Sequence, residues 1–138
     1  MAAEAPTLYP TMRYRDAPAA IDFLERAFGF LQREVIANED GTIAHAELSL
    51  GPSILMLGSD RDDPLVGPRA GKGWIYAAVD DPDEHCARAR AAGAEIVTEL
   101  HETDYGSRDY AARDLDGNLW HFGTYRPAAD RAASDIAA

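Results

Sequence analysis

The chain predicts an α+β fold: two tandem βαβββ modules that together form a curved sheet bearing a cleft. Three observations carry this. The second half repeats the first at a spacing of 65 residues, with Tyr9-Pro-Thr-Met-Arg-Tyr-Arg-Asp16 answered by Trp74-Ile-Tyr-Ala-Ala-Val-Asp-Asp81. A repeat of that length is a whole supersecondary unit. Each opening segment leads into an apolar-periodic stretch that begins at an aspartate, Asp16 or Asp81, and stops at a glycine, Gly29 or Gly93, which is helix start and stop chemistry. Each half then closes on an alternating segment ending Gly-Ser or Gly-Thr, Ser53–Ser59 and Asn118–Thr124.

The elements follow in order. A first strand is expected from Leu8 to Arg15. Asp16 is the helix N-cap, with Pro18 in the first turn. Ala20, Phe23, Leu24 and Ala27 recur at the spacing of one helix face, and Ile21 and Phe28 widen the stripe. Phe30 to Asn38 alternates as a strand, and Asp40-Gly41 is a hairpin turn. Strands from Ile43 to Leu50 and Ser53 to Leu57 flank the Gly51-Pro52 turn. The second module repeats the order: a strand over 73–79, a helix from Asp81-Pro82 to Gly93, and strands near 95–100, 109–114 and 119–124. The boundaries are a flexible N-terminus at 1–7, modules at 8–58 and 73–126, a connector at 59–72 and a tail at 127–138. The connector is polar and rich in Pro and Gly, and is placed to fold over a site.

Composition limits the function. The chain has 138 residues, 46% hydrophobic and 27% charged, enough for a real core. No apolar run reaches the length of a membrane span. The start lacks the basic and apolar stretches of a signal peptide, and the single cysteine, Cys86, forms no internal disulfide. These point to the cytoplasm. Cys86 occupies the repeat position of Ile21 and reads as a small buried hydrophobe. The net charge of −11 argues against nucleic acid, whose readers carry a basic patch. It is compatible with a neutral or cationic small ligand, and equally with a charge that serves solubility alone.

Two stretches resemble the vicinal oxygen chelate superfamily, which includes glyoxalase I, extradiol dioxygenases, and fosfomycin and bleomycin resistance proteins. Asp16-Ala-Pro-Ala-Ala-Ile-Asp-Phe-Leu-Glu-Arg-Ala-Phe-Gly-Phe30 resembles its first helix. Tyr105-Gly-Ser-Arg-Asp-Tyr-Ala-Ala-Arg-Asp-Leu-Asp-Gly-Asn-Leu-Trp-His-Phe-Gly-Thr-Tyr125 resembles its last two strands. The likeness spans nearly all of residues 8–126 and implies the glyoxalase/bleomycin resistance fold. In metal-using members the ligands come from four places, which the resemblance carries onto Tyr9, Met56, Trp74 and His121. The repeat agrees, since Tyr9 and Trp74, and Met56 and His121, each stand 65 residues apart. Only His121 is a usual ligand type. Thioether, indole and phenol do not suit a hard divalent ion.

The expectation is therefore a protein of bleomycin-resistance-like character. It binds an amphiphilic or aromatic small molecule, such as an antibiotic, by sequestration, with no cofactor, as a homodimer. Tyr9, Met56 and Trp74 would line the cleft, with His121, Glu47, His45 and Arg108 as its polar groups. Core filling is the rival reading for Tyr9 and Trp74. Trp120 and Phe122 alternate with His121, so they face the helix side as core. Alternation does not settle Tyr110 and Tyr125. His121 has a pKa range suited to a general base, but no nucleophile motif, phosphate loop or dinucleotide fingerprint accompanies it.

Two alternatives stand beside this. One is an enzyme, a glyoxalase- or dioxygenase-type lyase, isomerase or oxygenase with a displaced divalent metal. The Gly51-Pro52 turn pairs Glu47 with Met56 and puts His45 on the same face, so His45, Glu47 and His121 would be its ligands. The other is an assembly domain with no small-molecule role.

Overall fold

The computed structural model describes residues 6–65 and 67–128. Most of the expected flexible start (1–5) and of the C-terminal tail (129–138) lies outside the described residues. The first module runs β1 (Thr11–Tyr14), α1 (Ala17–Phe28), β2 (Leu31–Ala37), β3 (Ile43–Leu50) and β4 (Ser53–Ser59). The second runs β5 (Trp74–Ala78), α2 (Pro82–Ala91), β6 (Glu95–Glu102), β7 (Arg108–Arg113) and β8 (Leu119–Gly123). Each module is one four-stranded sheet, ordered β1-β4-β3-β2 and β5-β8-β7-β6, with the first strand parallel to the last.

The repeat survives at the level of hydrogen bonds. Thr11 pairs with Met56, and Tyr76 pairs with His121, 65 residues on at both ends. Asp16 accepts a bond from the Ala19 amide and Asp81 from the Glu84 amide, each at 3.1 Å. Both caps satisfy an amide that the first helical turn leaves unpaired. α1 ends at Gly29 in the left-handed region (φ 83°), a backbone that glycine adopts without steric cost.

Several element boundaries differ from expectation: α2 ends at Ala91 rather than Gly93, and β6 runs on to Glu102. β1 starts at Thr11 rather than Leu8: the Pro10 carbonyl takes the Met56 amide, but proline has no N–H with which to continue the ladder. β4 continues to Ser59, since its last residues pair with Arg13 and Tyr14 of β1.

One side of each sheet is buried against the helices. In the first sheet this side carries Met12, Tyr14, Ala46, Leu48, Leu55 and Leu57; in the second it carries Tyr110, Ala112, Trp120 and Phe122. The expectation for Trp120 and Phe122 as core holds, and Tyr110 joins them. These buried sides meet each other through the helices. Phe28 of α1 lies 5.6 Å from Trp120 and 4.9 Å from Phe122, ring centre to ring centre, and Phe30 packs edge-on to Trp120. Aromatic pairs in this range add to their burial energy. Tyr14 of β1 donates to Asp114 beyond β7 at 2.5 Å, so a polar bond also crosses the junction. Cys86 is buried in this core on α2, and burial pushes its thiol pKa up. Among the described residues no helix is long and apolar enough to cross a membrane.

Because the helix-facing sides are packed together, the other side of each sheet is left open. Strand alternation puts Thr11, Arg13, His45, Glu47 and Met56 on the first open face and Trp74, Tyr76, Asp109 and His121 on the second.

Candidate functional site

On the first open face, Glu47 stands directly across from Met56, as the turn register predicts. His45 Nε2 and Glu47 Oε2 are 2.9 Å apart and both side chains are part-exposed. Arg33 Nε donates to Ser49 Oγ at 2.8 Å from the neighbouring strand. Tyr9 sits just ahead of β1, 39% exposed.

On the second open face, the Trp74 ring lies 6.0 Å from the His121 ring, tilted by 51°. Trp74 is 75% exposed, which argues against plain core filling at that position. Tyr76 follows two residues later on the same face. Its hydroxyl donates to the Tyr125 carbonyl at 2.7 Å. Burial raises its pKa, and the nearby Asp109 and Tyr105 add to the effect, so the phenol stays neutral and polar. Beside it, Asp109 accepts from the Ser107 hydroxyl at 2.5 Å and from the Tyr105 hydroxyl at 3.3 Å.

Of the expected site residues, Met56, Glu47 and His45 therefore gather on the first sheet, and Trp74 and His121 on the second. Arg108 is turned elsewhere. Its Nε reaches Asp83 of α2 at 2.6 Å and its Nη1 reaches Glu102 at 3.2 Å. These bonds tie β7 to α2 and β6, on the side of the sheet away from the open face. The residues that spacing alone missed are Tyr76, Asp109, Tyr105 and Ser107. Period-2 alternation from Trp74 carries a signal for Tyr76. Asp109 takes its bonds from nearby Ser107 and Tyr105, but the space it occupies is left by Gly123 on the strand opposite, which no local pattern marks.

The four residues onto which the resemblance carries the family's ligand positions, Tyr9, Met56, Trp74 and His121, do not fit a divalent metal. A phenol, a thioether, an indole N–H and one imidazole supply a single good donor. The displaced set fares no better within one chain, because His45 and Glu47 are engaged with each other on one sheet and His121 lies on the other. Among the described residues no three His, Cys, Asp or Glu side chains converge.

A cavity of about 550 Å³ lies between the Gly51-Pro52 turn with the start of β4 and strand β5, lined mainly by apolar groups such as Leu8, Pro10, Ile54, Ile75 and Trp120, and by Tyr76. That volume is in the range of small-molecule sites. It includes neither Met56 nor His121, so it adjoins the open faces through Tyr76 rather than coinciding with them. A second hollow, of about 400 Å³, runs under the connector between Arg13, Asp63, Arg69 and Lys72, which places the connector over the β1 edge.

Known proteins agree with this architecture. TioX from Micromonospora sp. ML1 superposes with a TM-score of 0.74 at 35% identity, over 88% of this chain and 100% of that one. An uncharacterised protein of Mycobacterium tuberculosis is 32% identical over 125 residues, 86% of this chain and 74% of that protein. A glyoxalase/bleomycin resistance protein from Streptomyces sp. CB03234 shares the fold at 21% identity, with a TM-score of 0.65 over 83% of this chain and 96% of that one. A sequence model of the Glyoxalase/Bleomycin resistance protein/Dioxygenase superfamily matches residues 8–122. With that match over most of its length, and with paired βαβββ modules of the same kind, the chain belongs to the glyoxalase/bleomycin resistance protein/dioxygenase superfamily.

Proposed function

We propose that this protein sequesters an aromatic, amphiphilic small molecule of antibiotic size, without a metal. The observation that carries the reading is the replacement of a ligand set by an aromatic surface: Trp74, 75% exposed and set over His121, with Tyr76 beside it. Exposed aromatic rings on a sheet face give large contact area at little entropic cost, and mark binding surfaces. Met56 supplies adaptable packing on the first open face. His121 orients the ligand as a hydrogen-bonding wall.

The same reading calls for two copies. Within one chain the helix sides of the two sheets face each other, so Met56 and His121 point away from one another. A second copy, laying its first sheet against the second sheet of its partner, would bring Tyr9 and Met56 opposite Trp74 and His121 and close a cleft. A two-fold dimer would hold two such clefts. The acidic charge and the single buried cysteine suit a cytoplasmic binder.

A thermal-shift screen of cationic aromatic compounds and antibiotics tests the reading, followed by calorimetry on hits with Trp74→Ala. A hit whose affinity falls about tenfold or more in Trp74→Ala, at unchanged stability, supports it. Near-stoichiometric zinc, nickel, iron or manganese on elemental analysis of the tag-free protein would overturn it. That outcome would move attention to His45, Glu47 and His121.

A further inference from the structure

Asp109 is a carboxylate with an uncommon setting. It is 8% exposed, yet among the described residues no ion pair reaches it, and its side-chain bonds come from two hydroxyls. Isolated buried charges are costly without a compensating partner. Its strand partner is Gly123. A methyl group added at Gly123 would collide with the Asp109 carboxylate and crowd the Tyr76 hydroxyl. The missing side chain at 123 is what makes room for the carboxylate, and it fixes the direction: the acid lies over Gly123 on the same face as His121, two residues away, and Tyr76.

Around it stand aromatic rings. Tyr76 is 38% exposed and Tyr105 49%. Tyr105 and Tyr125 pack edge to face at 5.7 Å. Asp109 Oδ1 is held by Ser107, which is itself fixed by accepting the Tyr125 amide at 3.0 Å. Among the described residues Oδ2 is capped by the Tyr105 hydroxyl alone, at 3.3 Å, longer than the roughly 2.5–2.7 Å of an O–H bond to a charged oxygen. One oxygen is thus anchored and the other loosely covered. A carboxylate flanked by the hydroxyls of Tyr105 and Tyr76 is chemistry for a cation, which gains from the charge and from the phenol oxygens beside it. The chain's net charge of −11 draws a cation toward the protein.

Resting on the reading of the open face as a small-molecule site, we propose that Asp109 is its cation subsite: the ligand lays its aromatic body along Trp74 and Tyr76 and sets a protonated amine or guanidinium against Asp109 Oδ2, displacing the Tyr105 hydroxyl. From Trp74 to Ala78, the residue level with Gly123 and Asp109, is four residues, about 13 Å at about 3.3 Å each. The ligand class is therefore an elongated aromatic amine rather than a compact one.

Three matched probes of about that span test this: 4-(biphenyl-4-yl)butan-1-amine, 4-(biphenyl-4-yl)butan-1-ol and 4-(biphenyl-4-yl)butanoate, titrated into the full-length protein with binding followed by calorimetry and by the indole resonance of Trp74. The expected order is amine, then alcohol, then acid, with the amine about tenfold ahead of the alcohol. Asp109→Asn should bring the amine down to the alcohol and leave the alcohol unchanged. Tyr105→Phe, which frees Oδ2 and keeps the ring, should bind the amine as well as wild type or better, and serves if Asp109→Asn does not fold. Binding of all three probes without charge preference sinks this inference and leaves the aromatic site standing, as does an unchanged preference in Asp109→Asn or a weakened amine in Tyr105→Phe. No binding of any probe overturns both.

Discussion

At the scale of single residues, Asp114 holds more of this molecule than any surface ion pair. Its two oxygens accept from the Tyr14 hydroxyl, the Asn118 side chain and backbone, the Asp116 amide and the Trp120 indole, all within 3.1 Å. It is 6% exposed. A buried carboxylate is tolerated when its lone pairs are filled in this way. Burial and the Asp114 charge push the Tyr14 phenol far above its ordinary range, so that hydroxyl stays a donor. Asp114→Ala leaves several buried donors unmatched, and is expected to cost about 3 kcal/mol; Tyr14→Phe, which loses one bond, about 1 kcal/mol. Urea unfolding checks both: the midpoint should fall in that order with the slope unchanged. Equal stability of Asp114→Ala and wild type would mean that the junction does not depend on this carboxylate.

At the scale of elements, α2 is short of apolar surface, burying only Pro82, Cys86 and Ala89. It is held by polar bonds to α1 instead. Arg88 donates from Nε to the Arg26 carbonyl and from Nη2 to the Glu25 carbonyl, each at 2.9 Å, filling acceptors that the last turn of α1 leaves open. His85 Nε2 lies 2.8 Å from the Phe28 carbonyl and Nδ1 2.5 Å from the Tyr110 hydroxyl. With Tyr110 held protonated by burial, it donates to Nδ1, and a neutral His85 donates from Nε2. Burial lowers the His85 pKa, and the Arg88 charge adds to this. The sign follows. Above the ordinary histidine range, about 6.5, His85 is neutral folded and unfolded, and its contribution is complete. As pH falls below that range the unfolded chain takes up a proton that the folded state resists, so stability declines. Unfolding free energy measured from pH 7.5 to 5 should drop in wild type and drop less in His85→Gln. Parallel curves would refute the assignment. Asp60 and Asp83, whose pKa values are lowered by hydrogen bonds from the Arg69 amide and the Arg108 side chain respectively, act only at more acidic pH.

At the scale of the whole molecule, the chain buries one side of each sheet and leaves Trp74, Tyr76, Val35, Ile36 and Leu31 exposed in strands. Surfaces of this kind mark interaction sites. The proposed dimer gives two clefts and covers them. Multi-angle light scattering from micromolar concentration upward should give twice the chain mass of 15.0 kDa. A monomer across that range would sink the two-chain cleft and confine any ligand to one open face. If the dimer holds, adding a ligand that spans both sheets should raise its thermal stability by mass action.

Local chemistry was enough to determine the two modules. Helix caps, turn residues and period-2 alternation act over a few residues, so Asp16, Asp81, Gly29 and the Gly51-Pro52 turn could be read directly, and the repeat doubled each signal. The register at Glu47 and Met56 was legible for the same reason, since a two-residue turn sets the pairing. The resemblance carries the family's metal positions onto Tyr9, Met56, Trp74 and His121, and that the first three do not suit a hard ion is a matter of side-chain identity alone. Tertiary structure decided the rest. Arg108 looked available until α2 brought Asp83 beside it. Asp109 became notable only because Gly123, on another strand, leaves it space. The pairing of the modules is not written in either half: it depends on Phe28, Phe30, Trp120 and Phe122, from distant parts of the chain, finding one another on the helix side, and that contact is what turns both open faces outward.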